Sequence, residues 1–148
     1  MSPCNNYEIA HMNKSVTKLD LNLAQIIEAI QAFKFPPVDL IVGIASGGTH
    51  PARLIADHLH IPVRFMHINF RHADNTPKGP EPRLLKSDDI PPQYKTLLLI
   101  DDVSVSGKTM NVAKSQLQGR TIHTFVLKGQ ADYVLFPDIK TCVNWPWK

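Results

Sequence analysis

The chain has 148 residues, a formal net charge of +3, 43% hydrophobic and 20% charged residues, the profile of one globular domain around one core. That mild basic excess suits small anionic ligands, and without a basic cluster interleaved with aromatics it is too weak to indicate nucleic acid. Cys4 and Cys142 provide neither a disulfide framework nor zinc spacing, no apolar run is long enough to span a bilayer, and no secretory leader is evident, so a reducing, cytoplasmic setting is expected.

Residues 1–19 are mixed and polar, with Tyr7–Ile9 readable as a short edge strand. Asp20 reads as the N-cap of a helix running to about Phe33, because Leu23, Ile26, Ile27, Ile30 and Phe33 recur at three and four. Pro36-Pro37 stops it. Leu40-Ile41-Val42-Gly43-Ile44 is the first strong strand. The small residues Ala45-Ser46-Gly47-Gly48-Thr49 follow, and Pro51 opens a helix to about His60. A strand, a small-residue turn and a helix make an anion site, because the turn and first helical turn expose N–H groups.

A strand from Val63 to about Asn69 comes next. The stretch from Phe70 to Tyr94 then carries five prolines and several charges. A connection this long and proline-rich inside a compact domain is usually a lid or a disordered tip. The seven histidines read as surface or satisfied groups: His58 and His60 point different ways on a helix, and nothing fixes His67, His72 and Asp74 together.

The central stretch is Leu97-Leu98-Leu99-Ile100-Asp101-Asp102-Val103-Ser104-Val105-Ser106-Gly107-Lys108-Thr109-Met110. Its apolar start reads as a strand buried on both faces, with two carboxylates where that strand should end. Met110–Leu117 continues as a helix, ended by Gly119. Ser104, Ser106 and Thr109 supply hydroxyls, and Gly107 lets the backbone come close to an anion. A phosphate fits such a turn, whereas carboxylates want hydroxyl donors or Mg²⁺. A sugar phosphate supplies both. Gly107-Lys108-Thr109 looks like the end of a Walker A loop, but that motif needs glycine where Asp102 stands.

Thr121–Leu127 is a further strand, followed by Lys128. Tyr133–Phe136 is a short one, and Cys142-Val143-Asn144-Trp145-Pro146-Trp147-Lys148 closes the chain. The alternation of strands and helices predicts an α/β fold with a mostly parallel central sheet. Ligands of such sheets bind beyond the carboxyl ends of the strands, where the acid pair, Ser46–Thr49 and Lys128 all fall.

The central stretch resembles the motif of type I phosphoribosyltransferases that binds 5-phosphoribosyl 1-pyrophosphate (PRPP): apolar strand, acid pair, then a phosphate loop with Gly and Thr. The tail and size are similar to the small purine members, of the xanthine-guanine and hypoxanthine type. The resemblance implies a type I phosphoribosyltransferase fold over residues 1–148. Its parts would be a central sheet flanked by helices, a mobile lid over 69–94, and a base-binding hood over 128–148, built with the N-terminal segment. It implies transfer of the phosphoribosyl group of PRPP to a nucleobase, a purine, with release of pyrophosphate.

By the same resemblance Asp101 and Asp102 are catalytic, holding the ribose diol, and Asp102 is the protein contact for Mg²⁺. Ser104, Val105, Ser106, Gly107, Lys108 and Thr109 take the 5′-phosphate. Ser46, Gly47 and Gly48 take the pyrophosphate, with Arg71, Lys78, Arg83 and Lys86 facing it from the lid. Lys128, Val143 and Trp147 take the base. A cytoplasmic homodimer or homotetramer is implied as well. Three positions depart from the family pattern. Val105 stands where an aspartate usually handles the purine N7 proton. Ser46 replaces a basic or bulkier residue, and Cys142 falls where an aromatic often stacks on the base. Val105 and Cys142 leave a second reading open, a PRPP- or nucleotide-binding regulatory protein of the same fold.

Overall fold

The computed structural model describes residues 18–69 and 82–148. Six strands form the main sheet in the order β4-β3-β2-β5-β6-β7. They are β2 (Leu40–Ala45), β3 (Val63–Asn69), β4 (Arg83–Ser87), β5 (Thr96–Ser104), β6 (Thr121–Gly129) and β7 (Tyr133–Val134). All neighbours are parallel except β3 and β4, which pair antiparallel. The helices among the described residues are α1 (Leu23–Ala32), α2 (Thr49–Leu59) and α3 (Lys108–Ser115).

Alternation along the two central strands divides the core in two. Ile41, Leu98 and Ile100 pack on one face with Ile26 and Ile30 of α1 and Ala52, Ile55 and Ala56 of α2. Leu40, Val42, Ile44, Leu97 and Leu99 pack on the other with Met110 and Ala113 of α3. Successive side chains point to opposite faces, so a strand covered on both sides must be apolar throughout. Each fully buried Leu or Ile contributes about 2 kcal/mol. Helix α2 lies directly on β2 at Gly43, where a Cβ would come within 2.7 Å of the Ala52 Cβ.

Several boundaries differ from the sequence-based expectation. The cap of α1 is Asn22, whose side chain accepts from Gln25 N while the Gln25 side chain accepts from Asn22 N, both at 2.8 Å. This reciprocal pair satisfies two donors at once and outcompetes Asp20. Asp20 instead belongs to β1 (Leu19–Asp20), which pairs parallel with β8 (Val143–Asn144) in a small second sheet. Helix α3 begins at Lys108 rather than Met110 and closes at Gln116, before Gly119. The second half of the stretch expected as a single lid holds β4. Residues 70–81, with Arg71, Lys78, His72 and Asp74, lie outside the described residues, as does Tyr7–Ile9. Among the described residues, no helix is long and apolar enough to cross a membrane.

Candidate active site

Strand β5 does not end at the acid pair. It runs on to Ser104, so Asp101 and Asp102 sit within the sheet's edge rather than beyond it. The reason lies in β6, which pairs with β5 as far as Val103↔Lys128 and Ser104↔Gly129. Both aspartates are buried. Asp101 Oδ1 accepts from Asp102 N at 2.8 Å, and Asp102 Oδ1 accepts from Val103 N at 2.7 Å. Burial, then the neighbouring Asp102 charge, pushes the Asp101 carboxyl well above its ordinary range. A neutral Asp101 donates a hydrogen bond, whereas an ionised carboxylate only accepts.

The loop that follows is only three residues, Val105 to Gly107. Gly107 has φ +79°, the left-handed region that favours glycine. It caps α3 without any side-chain bond to the helix. Ser106 Oγ accepts from Lys108 N at 3.3 Å. Ser104 is buried, while Val105 and Ser106 are exposed. Lys108 and Thr109 are the first residues of α3 itself. The loop is pinned from β6: Gln130 N donates to Ser104 O at 2.8 Å, and at Gly129 a Cβ would lie 2.0 Å from that same oxygen.

The second loop, Ser46 to Gly48, follows a cis Ala45–Ser46 peptide and leads into α2. Its Gly48 cap likewise makes no side-chain bond to its helix. Gly48 differs from the expectation that its amide meets an anion, because its N–H donates to Ile44 O at 2.7 Å. Its place is set by space: a Cβ there would come within 2.5 Å of Ile100 O. Gly47 lies against the acid pair, since a Cβ on it would be 2.5 Å from Asp102 Oδ1 and 2.9 Å from Oδ2. The turn before α2 thus approaches the Asp102 carboxylate, and the N-terminus of α3, likewise without a side-chain cap, follows the same strand a few residues on, an arrangement that suits an anionic ligand with polar groups.

Lys128 lies inside β6 rather than after it, and is buried in register with Val103. Val143 sits in β8, half-buried. Trp147 stacks on Trp145 at 5.8 Å and on His50, in the first turn of α2, at 5.5 Å. Its indole Nε1 is buried without a hydrogen-bond partner. Cys142 is buried. Arg83 and Lys86 are exposed on β4. Residues 46–48, 101–109 and 128 thus meet at one edge of the sheet. Trp147 joins them through His50, and Val143 approaches only through the second sheet.

Three contacts had escaped the sequence. Lys148 Nζ reaches Asp102 Oδ2 at 3.1 Å, His50 meets Trp147, and Gly129 lets β6 touch the phosphate loop. Only the last had a local signal, a glycine just after a strand. Among the described residues, no group of three or more His, Cys, Asp or Glu could hold a metal ion.

A parallel sheet with a carboxylate pair and two small-residue turns at one edge has the layout in which such sheets bind ligands, beyond the carboxyl ends of their strands. The chain belongs to the phosphoribosyl transferase domain family, whose model matches residues 6–145. No curated protein matches it. Among solved structures it is similar to a purine phosphoribosyltransferase from Pyrococcus horikoshii, at 23% identity and TM-score 0.67, covering 88% of this chain and 93% of that one. A Helicobacter pylori xanthine-guanine-hypoxanthine phosphoribosyltransferase gives 14% identity and TM-score 0.70, covering 89% and 93%. A hypothetical protein from Neisseria gonorrhoeae with bound ppGpp gives 22% and 0.64, covering 88% and 90%. At these identities the likeness is one of fold: the type I phosphoribosyltransferase architecture.

Proposed function

We propose that this chain transfers the 5-phosphoribosyl group of PRPP to a nucleobase, a purine, and releases pyrophosphate. The observation that carries the reading is the closeness of Gly47 to the Asp102 carboxylate, which brings the turn after β2 up to the acid pair on β5. PRPP has the matching order of groups: a 5′-phosphate for residues 104–109, a ribose diol for Asp101 and Asp102, and a pyrophosphate for Ser46 and Gly47. Purine as acceptor rests on Lys128 and Trp147 at the same edge and on the purine enzymes among the similar structures.

In the reaction the anomeric carbon–oxygen bond to pyrophosphate breaks, a carbon–nitrogen bond to the base forms, and the base gives up its N–H proton. Positive charge develops on the sugar between these events. A carboxylate held against the diol stabilises that charge without reorganising, and preorganised electrostatics is often the largest catalytic contribution. A divalent cation fits this site through one protein oxygen donor, Asp102, with its remaining oxygens taken from substrate, because no side-chain cage exists among the described residues. Mg²⁺ would supply charge neutralisation to the departing pyrophosphate. Residues 70–94 would close over the donor and residues 128–148 would cover the base, which keeps water from the sugar.

Pyrophosphate release from PRPP in the presence of Mg²⁺, measured across adenine, guanine, hypoxanthine, xanthine and orotate, tests the reading. Release with a purine and none with orotate is expected. PRPP binding with no release for any base would reject transfer. It would favour the second reading, a nucleotide- or PRPP-binding regulatory protein. That reading is supported by Val105, an exposed apolar side chain where the acceptor's proton needs a carboxylate, and by the ppGpp bound in one structure of this fold.

A further inference from the structure

Lys148 forms an ion pair with Asp102 of the acid pair, and the proposed transfer gives that ammonium no role. Its ammonium sits 3.1 Å from Asp102 Oδ2. The other oxygen of that carboxylate is already engaged, accepting from Val103 N at 2.7 Å. Oδ2 is thus the open oxygen, and Lys148 covers it. The same oxygen lies 2.9 Å from the Cβ position of Gly47, so the lysine and the pyrophosphate turn meet at one atom.

The backbone that carries Lys148 is anchored while its side chain is not. Lys148 N donates to Trp145 O at 3.1 Å, and Trp145 is buried. Trp147 lies flat against His50 in the first turn of α2, the helix whose N-terminus follows the pyrophosphate turn. The Lys148 side chain is 59% exposed, against 12% for Asp102. An ion pair with so exposed a cation is weakly held, so the ammonium changes partner at little cost.

We infer that Lys148 is a substrate-binding residue for the pyrophosphate end of the donor. In the free protein its ammonium holds the cation position on Asp102 Oδ2. When the donor takes that oxygen, the ammonium passes to the pyrophosphate oxygens above Ser46 and Gly47. This inference rests on the transferase reading of the site. It adds a cation from the tail to the backbone amides, the metal ion and the lid cations of that reading, and it keeps Asp102 from standing as an uncompensated charge before substrate arrives.

Titration calorimetry at fixed Mg²⁺ with three probes, PRPP, inorganic pyrophosphate and ribose 5-phosphate, tests it on the full chain. Lys148→Ala should weaken PRPP and pyrophosphate by about tenfold or more, the loss of a charge-assisted hydrogen bond, and leave ribose 5-phosphate unchanged. Lys148→Arg should retain binding of all three. Unchanged pyrophosphate affinity in Lys148→Ala, or equal weakening of all three probes, would overturn the assignment. Tighter PRPP binding in that variant would overturn it too, making the lysine a competitor of substrate. Failure of the unaltered chain to bind PRPP and pyrophosphate would instead strike the transferase reading itself.

Discussion

Gly47 and Asp102 lie so close that a single carbon added to the glycine would stand 2.5 Å from the carboxylate oxygen Oδ1. Gly47→Ala should therefore displace either the turn or the carboxylate. We expect a stability loss of about 1–3 kcal/mol, the usual cost of overpacking, together with a fall in PRPP affinity of at least tenfold. Gly107→Ala is the control: its Cβ meets nothing within 4 Å, and only its φ of +79° is unfavourable, worth about 1 kcal/mol. Chemical denaturation and calorimetry on both variants separate contact from backbone strain.

Asp102→Asn keeps the shape and removes the charge. Pyrophosphate release should fall by about 10²-fold or more, as when a preorganised electrostatic partner is lost. Retained turnover at the level of the unaltered chain would move the catalytic charge elsewhere.

Asp101 predicts a pH dependence of stability. Its folded-state carboxyl titrates well above the usual carboxylate range because burial and the Asp102 charge disfavour ionisation. The folded chain thus holds a proton that the unfolded chain releases at its ordinary pKa. Its contribution is fully favourable below that ordinary value and is progressively lost as pH rises towards the folded pKa. Asp101→Asn retains the oxygen that accepts from Asp102 N and cannot ionise. Thermal unfolding should show the variant gaining on the unaltered protein as pH increases from 4 to 8. A constant difference across that range would contradict the assignment.

At Gly129 the constraint is doubled, with φ of +114° and a Cβ position 2.0 Å from Ser104 O. Gly129→Ala should cost about 3 kcal/mol or more, from backbone strain and overpacking together, and should loosen the phosphate loop. By contrast Asn22→Ala, which opens the capping box of α1, should cost about 1 kcal/mol and leave turnover unchanged. Urea unfolding of the two variants, with pyrophosphate release measured alongside, checks both.

Much of the fold was legible because its signals are local. The apolar runs at 40–44 and 97–100 and the small-residue turns after them mark strand, loop and helix without outside help. Val63–Asn69 emerged as a strand with the expected limits. What misled was competition between neighbours. Asn22 with Gln25 offers two capping bonds where Asp20 offers one, and the ladder to β6 holds β5 straight past the aspartates that look like its end. The illegible part is long-range. Lys148 follows a Pro-Trp pair with nothing around it to mark a partner 46 residues away, and the Trp147–His50 stack joins the tail to a helix start far back in the chain. Strand β4 sits among prolines and charges, and only its pairing with β3 makes it a strand.

Leu19 and Asp20 run alongside Val143 and Asn144, and the Asn144 amide donates to the Asp20 carboxylate at 2.7 Å across 124 residues of sequence. This short stitch touches no ligand group, yet it fastens the tail four residues before Lys148. Closing so long a span costs chain entropy that two strand pairs repay only because Leu21 and Trp145 are buried beside them. One wall of the ligand cleft is in effect moored to the opposite end of the polypeptide. A change that breaks the pairing of Leu19 and Asp20 with Val143 and Asn144, unlike Asn22→Ala in the helix cap, is therefore expected to be read out at Asp102 and Lys148 rather than where it is made.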